Sequence, residues 1–175
     1  MIHHAILTAI GSDRPGLVDE VSHFIFEAGG NIEDSRMVNL RGQFAIMLLV
    51  GATAETIKKL SGLIPQLIQK THLHVEMRSA DVAPPARAAM PYHLSATAMD
   101  QAGLVHRIAN LLKSLDINIE DLQTSLTDAP ITGAPLFGME VTLSVPAELQ
   151  VGRLRQSLGE LCDQLNVDWQ LTAMQ

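Results

Sequence analysis

An internal repeat is the feature that most constrains how this 175-residue chain can fold. Residues 7–34 align without a gap with residues 94–121, at an offset of 87 residues, and ten of the 28 aligned pairs are identical. The identities cluster in two segments, D-x-x-G-L-V and N-I-E-D, whereas chance matches would be scattered. The chain is therefore predicted to contain two copies of one small domain.

The predicted domains are residues 1–79 and residues 92–175, joined by a linker over residues 80–91. The linker carries Pro84-Pro85 among small residues, a composition typical of a semi-rigid connection between domains. A chain of this length can hold two small domains and still bury a hydrophobic core.

Each copy shows the same succession of apolar patterns, with alternation where a strand is expected and helical spacing where a helix is expected. In the first copy, Pro15 suits the first helical position, Gly29-Gly30 a helix end and Arg41-Gly42 a hairpin turn. Pro65 lies inside the second predicted helix, where we expect a kink or a restart. The strands are predicted over residues 4–10, 31–40, 43–50 and 72–78, and the helices over residues 15–28 and 54–70.

The second copy repeats this order, with strands predicted over residues 92–98, 117–126, 137–145 and 167–172 and helices over residues 104–115 and 151–165. Six extra residues lengthen its hairpin loop, within the segment TDAPITGAP that begins at Thr127. Both copies have the predicted element order βαββαβ. The predicted fold class is therefore α+β, with two ferredoxin-like units that each place two helices on one face of a four-stranded antiparallel sheet.

The third strand differs between the copies in the chemistry of its two faces. In residues 137–145 apolar side chains alternate with Gly, Glu, Thr and Ser, so one face of that strand is polar. Its counterpart, the segment FAIMLLV that begins at Phe44, is apolar on both faces. A strand of this kind needs cover on the side away from the helices, so we expect sheet-to-sheet packing or a homo-oligomer.

The repeated turn before the first helix of each copy has chemistry suited to an anion. Backbone N–H groups at a helix start lack partners and carry about half a positive charge, which favours a carboxylate. Gly16 and Gly103 permit close approach of a ligand to the backbone. Asp13 and Asp100 could accept a hydrogen bond from a ligand ammonium group, or they could simply cap the two helices.

The segments D-R-P-G-L-V and G-G-N-I-E-D within a βαββαβ frame resemble those of ACT domains, and the likeness extends over nearly the whole chain. ACT domains are regulatory units that commonly bind amino acids at the interface of paired copies. The resemblance implies that ligand contacts come from the first strand–helix turn and the start of the second strand. Carried over, the implied ligand-binding residues are Asp13, Arg14, Pro15, Gly16, Leu17, Asn31 and Ile32, with Asp100, Gln101, Ala102, Gly103, Leu104, Asn118 and Ile119 in the second copy.

The two turns are not equivalent, because Gln101-Ala102 stands where the first copy has Arg14-Pro15. The second turn therefore lacks a cation and a residue of fixed φ. On this ground the sequence predicts that the first turn is the better binder.

Charge and composition exclude several classes of function. The chain has 12 Lys and Arg against 19 Asp and Glu, a net charge of −7, and no cluster of cations that could grip a phosphate backbone. No direct contact with nucleic acid is therefore expected. The chain lacks an apolar run of membrane-spanning length and a signal peptide, which predicts a cytoplasmic protein without membrane contact. The single cysteine, Cys162, is predicted to be a small buried apolar residue.

Motifs for catalysis, cofactors and metals are lacking, so no catalytic residues, cofactor or metal site are expected and the protein is predicted not to be an enzyme. His72 and His74 lie two apart on a predicted strand and could share a metal, but a third ligand is not apparent. Glu33 and Asp34 are adjacent, so regular strand geometry would direct them to opposite faces.

A chain of two ACT domains and little else also resembles the tandem ACT regulators of glycine cleavage, a less specific resemblance that implies a function and two partners. These are a small amino acid effector, with glycine as the suggested one, and a DNA-binding transcriptional activator protein through which the glycine cleavage operon would be repressed. An alternative is a stand-alone ACT subunit that controls a metabolic enzyme. Metal carriage through His72 and His74 is a third hypothesis.

Overall fold

The computed structural model describes residues 1–80, 88–128 and 133–174. The chain divides into two compact units, Met1–Pro84 and Pro85–Gln175. Each unit has the order βαββαβ, as the repeat predicts.

The elements of the first unit begin and end close to the predicted positions, because apolar periodicity and turn residues mark them locally. They are β1 (His3–Ser12), α1 (Leu17–Ala28), β2 (Asn31–Leu40), β3 (Gln43–Ala52), α2 (Ala54–Thr71) and β4 (His74–Ser79). The hairpin turn between β2 and β3 is confirmed at Arg41 and Gly42, whose φ angles are 51° and 78°.

The second unit follows the same plan. Its elements are β5 (Ala89–Met99), α3 (Leu104–Ser114), β6 (Asn118–Asp128), β7 (Pro135–Pro146), α4 (Val151–Leu165) and β8 (Asp168–Ala173). β5 begins three residues before the predicted start of the second domain. Much of the predicted linker (residues 81–87) and the middle of the long hairpin loop (residues 129–132) lie outside the described residues.

Both sheets are antiparallel, with strand order β2-β3-β1-β4 in the first unit and β6-β7-β5-β8 in the second. Alternate residues of the central strands, such as Leu7 and Leu48, are buried together with helix residues such as Val21 and Leu60. Cys162 is buried in the corresponding core of the second unit, as predicted. The ferredoxin-like α+β fold with helices on one face of each sheet is thereby confirmed.

The start of α1 differs from the prediction. Gly16, with φ of 92°, is the N-cap residue and the helix begins at Leu17, so Pro15 precedes the helix instead of opening it. Capping by Asp13 is also wrong, because no side chain caps α1. The predicted stop is correct, since Gly29 adopts φ of 90° and its N–H bonds to the end of the helix.

Two predictions around α2 are wrong. The helix does not restart at Pro65 but runs past it, with Leu60 and Leu67 buried on either side, so apolar burial outweighs the backbone hydrogen bond that proline cannot donate. A kink at Pro65 stays a prediction. His72 is not on β4, because it ends α2 in a left-handed conformation with φ of 59°. The alternation that would place His72 and His74 on one face of a strand therefore does not exist.

Candidate ligand-binding site

The turn between β1 and α1 is tied to the β2–β3 hairpin. The Asp13 N–H donates to the Gly42 carbonyl at 2.8 Å, and the Asn39 amide donates to the Asp13 carboxylate at 2.5 Å. Asn39 in turn accepts the Gly42 N–H at 3.2 Å. The carboxylate of Asp13 therefore anchors the hairpin, a role that sequence reasoning missed because the partners lie 26 residues apart.

Arg14 is occupied by a carboxylate of the same unit. Its guanidinium donates to both oxygens of Glu20, at 2.6 and 2.9 Å. The hydrogen bond from Arg14 holds the pKa of Glu20 below its ordinary value, while the bond to Glu20 raises the pKa of Arg14. Arg14, the cation that was expected to contact a ligand, is therefore paired within the protein.

The second turn is held in a different way. Gln101 donates from its side-chain amide to the Leu165 carbonyl at the end of α4, at 2.8 Å. Asp100 and Arg107, the counterparts of Asp13 and Glu20, form no side-chain hydrogen bond or ion pair with the described residues. The second turn thus keeps one free carboxylate and one free guanidinium, whereas both charged groups of the first turn are engaged.

Both turns leave the N-terminus of the following helix open. Gly16 and Gly103 have nearly the same φ, 92° and 93°, and neither helix has a side-chain cap. The first turn of α1 contains Asp19 and Glu20, whereas that of α3 contains no acidic residue. The α3 terminus therefore opposes an approaching carboxylate less strongly than the α1 terminus does.

The starts of β2 and β6 carry the other implied ligand contacts. Ile32 and Ile119 are half-buried and pack against the cores of their units. Asn31 is exposed, while Asn118 donates to Glu120 at 2.7 Å. Hydrogen bonds from Ser144 and Asn118 hold the pKa of Glu120 below its ordinary value.

A β-bulge follows each of these asparagines, and it corrects the prediction that Glu33 and Asp34 point to opposite faces. The register of β2 against β3 shifts between Ile32 and Asp34. Glu33 reaches across Gly51 to pair with His4 at 3.0 Å, on the face of the sheet that Asp34 also occupies. The extra residue of a bulge breaks the alternation of faces on which the prediction relied.

Within one unit the two sets of implied contacts lie at opposite ends of the sheet. Asn31 pairs with Gly51, whereas Ser12, which leads into the turn, pairs with Gln43 at the other end of β3. The twelve residues of α1 separate them by about 18 Å. A small amino acid cannot span that distance, so one such ligand cannot touch both sets within one unit.

A surface cavity of about 370 Å³ lies beside the start of β2. Asn31 and Ile32 line it together with Ser22, His23 and Phe26 of α1. Sequence reasoning missed these three α1 residues. Phe26 was an available signal, because it is an aromatic residue outside the apolar stripe of the predicted helix. In the structure it is 72% exposed.

The comparisons with known proteins agree with this architecture. The family model described as the ACT domain matches residues 3–78, which covers the six elements of the first unit except the last residue of β4. The second unit repeats the same elements, strand order and bulge position. The first unit therefore matches the ACT domain family, and the second unit repeats its architecture.

Similar proteins match the chain along both units. The glycine cleavage system transcriptional repressor of Escherichia coli strain K12 is 25% identical over 164 residues, which cover 94% of this chain and 86% of the relative. A structure of a protein of unknown function from Galdieria sulphuraria matches all of both chains, with a TM-score of 0.85 and 26% identity. A structure provisionally named as a glycine cleavage system transcriptional repressor gives a TM-score of 0.74 at 23% identity, over 100% of this chain and 99% of the other, and supports the fold alone.

Two further findings concern membranes and metals in the described part of the chain. Among the residues that the structure describes, no helix has the length and apolarity needed to cross a bilayer. Over the same residues, His, Cys, Asp and Glu side chains do not gather in any group of three or more that could hold a metal ion.

Proposed function

We propose that this tandem ACT protein is a non-enzymatic, amino-acid-responsive regulator that represses the glycine cleavage genes. The observation that carries the proposal is its similarity, along 94% of the chain, to a protein named as the glycine cleavage system transcriptional repressor. A match of that extent includes both ACT units, so it is not explained by one shared domain.

The proposed effector is a small amino acid, with glycine as the first candidate, bound at the turn that joins the first strand of a unit to its first helix. The open helix terminus receives the ligand carboxylate, and an adjacent Asp receives the ammonium group. The absence of a side-chain cap at Gly16 and Gly103 supports this role for the turns.

We rank the second turn above the first, which reverses the prediction made from the sequence. Asp100 and Arg107 are without partners in the described residues, whereas Asp13 is bonded to Asn39 and Arg14 to Glu20. A ligand at the second turn gains both charged groups without breaking an existing bond.

The proposed route of repression is a protein contact with a DNA-binding transcriptional activator. The net charge of −7 opposes direct binding to a phosphate backbone, and the route through an activator avoids that repulsion. The alternative partner is a metabolic enzyme that the chain would control as a regulatory subunit.

Calorimetric titration of the full chain with a panel of amino acids tests the sensor function. We expect one or a few small amino acids to bind and larger ones to fail. If none binds, either alone or with the captured partner present, the sensor proposal is wrong.

Affinity capture from cells that express a tagged chain, followed by mass spectrometry, separates the two partner classes. A transcription factor supports the regulator, and a metabolic enzyme supports the alternative. Deletion of the gene is also expected to raise glycine cleavage transcripts, and unchanged transcripts would contradict the proposed repression.

A further inference from the structure

The first unit has an apolar surface on the side of its sheet that faces away from the helices. Ile6 pairs with Leu49, and Ala45 pairs with both Ile10 and Val38, so their side chains share that side. Met47 is 52% exposed and Ile10 is 51% exposed in the chain. We call this set of six residues the open apolar face: Ile6, Ile10, Val38, Ala45, Met47 and Leu49.

The second unit has the same sheet in the same register, but the corresponding side is polar. Its matching pairs are His93 with Thr142, and Gly138 with both Thr97 and Ser125. The counterparts of the open apolar face, in the same order, are His93, Thr97, Ser125, Gly138, Glu140 and Thr142.

The polar side is satisfied within its own unit, since His93 and Glu140 pair at 2.6 Å. The fold therefore does not require apolar residues at these positions. An exposed apolar patch on one copy alone indicates a surface that is covered by a partner.

The edges of the open apolar face carry paired charges. On β2, Arg36 pairs with Asp34 at 2.9 Å, and on β4, Arg78 pairs with Glu76 at 2.9 Å. Each of these residues lies opposite a residue of β1 or β3 that points to the same side. With Glu33, which pairs with His4 on that side, the rim sums to −1, two arginines against three carboxylates, on a chain whose net charge is −7.

We propose that the open apolar face binds the same face of a second copy of the chain, giving a dimer with twofold symmetry. A rim of charge −1, in which each carboxylate is paired with an arginine or a histidine, meets its own copy with little repulsion, whereas a strongly acidic or basic partner would gain little from it. Apolar side chains then lie against apolar side chains, as in sheet-on-sheet packing.

A polar sheet side of the kind that the second unit presents would cover the open apolar face less well. Packing it on the open apolar face would bury Glu140 and His93 against aliphatic side chains, and the lost hydration would oppose association. A four-stranded face of about eight residues per strand covers about 500 Å², so two copies bury about 1,000 Å² in total, the lower range of a specific interface. The proposal does not depend on the proposed regulatory function.

Sedimentation equilibrium of the full chain tests the dimer, with the substitution Met47→Glu as the decisive variant. Glutamate is the residue that the second unit carries at this position, and Met47 is exposed, so the fold should tolerate it. We expect the wild type to dimerise and Met47→Glu to raise the dimer dissociation constant at least about tenfold.

Met99→Glu is the matched control, because Met99 is 55% exposed and lies on the polar side of the second sheet. It should leave the dissociation constant unchanged. The milder pair Ile10→Thr and Leu49→Thr, which copies Thr97 and Thr142, should also weaken the dimer and covers the case in which Met47→Glu fails to fold.

Three outcomes would overturn the proposal. They are a wild-type chain that stays monomeric at high micromolar concentration, a dimer that survives all of the first-unit substitutions, and a dimer that Met99→Glu weakens as much as Met47→Glu does. Circular dichroism of each variant establishes that a change in association does not come from unfolding.

Discussion

Arg14 and Glu20 form a two-pronged ion pair across the start of α1, with nitrogen–oxygen distances of 2.6 and 2.9 Å. The pair joins a residue of the turn to the first turn of the helix and lowers the pKa of Glu20. In the second unit Gln101 and Arg107 stand at these positions, so the pair has no counterpart there. This difference makes the two units electrostatically unequal.

The ion pair predicts a pH dependence of stability. Because Arg14 lowers the folded-state pKa of Glu20, its stabilisation is fully present above the ordinary value of 4.5 and is lost as pH falls through the depressed folded value. Arg14→Gln should therefore lower the free energy of unfolding at pH 6, and this effect should shrink as pH falls below 4.5 and vanish below the depressed folded pKa of Glu20.

Urea unfolding of wild type and Arg14→Gln across pH 3 to pH 7 measures this difference. Arg153→Gln is the control, because Arg153 makes no ion pair with the described residues. A stability difference that stays constant down to pH 3 would show that the ion pair is not its source.

Gly16 and Gly103 allow the two turns to be compared at equal structural cost. Their φ angles differ by 1°, so Gly16→Val and Gly103→Val should each destabilise the fold by about 1–2 kcal/mol. If the second turn is the better binder, Gly103→Val should weaken amino acid binding more than Gly16→Val does. Calorimetric titration of both variants with the amino acid that binds the wild type measures the two affinities. A larger loss of affinity at Gly16 would restore the ranking that the sequence predicts.

Asp13 and Asn39 should couple energetically, because their hydrogen bond joins the turn to the β2–β3 hairpin. Asp13→Ala and Asn39→Ala should each reduce stability, and a double-mutant cycle should give a coupling of about 1 kcal/mol. Asp100→Ala is the matched control and should have little effect, since Asp100 has no side-chain partner in the described residues. Additive effects of the two substitutions would contradict the anchoring role of Asp13.

Cys162 should be unreactive in the native protein. Its side chain is buried in α4, and burial is the main cause that raises the pKa of its thiol to about 11. The reactive thiolate is therefore scarce at pH 8 and also shielded from reagents. A colorimetric thiol assay should detect no rapid reaction until urea unfolds the chain, and rapid stoichiometric labelling of native protein would disprove the burial.

The order of elements was predictable because residues close in sequence mark the boundary of each element. The β2 strand and the helix α4 begin and end at the predicted residues, and Gly29 stops α1 as expected. Left-handed backbone at a glycine and apolar spacing along a helix depend on neighbouring residues only. These are the features that a single sequence carries without ambiguity.

The errors arose where a distant contact or an inserted residue overrode the local pattern. The bulge at Glu33 needs Gly51 of the neighbouring strand, which leaves room for the glutamate side chain. α2 continues past Pro65 because its apolar face is buried on both sides of that residue. Neither condition can be read from residues adjacent in the chain.

The sequence by itself determined that this protein has two copies of one βαββαβ unit, since a repeat of apolar spacing and turn residues dictates the same backbone twice. It also placed the helix-start turns and the two-sided apolar strand. Only the tertiary structure decided which side chains remain available: Asp13 and Arg14 find partners, whereas Asp100 and Arg107 find none among the described residues. The physical reason is that backbone conformation follows from short-range sterics and burial. Whether a charged side chain is available to a ligand depends instead on the hydrogen bonds and ion pairs that form when the chain folds.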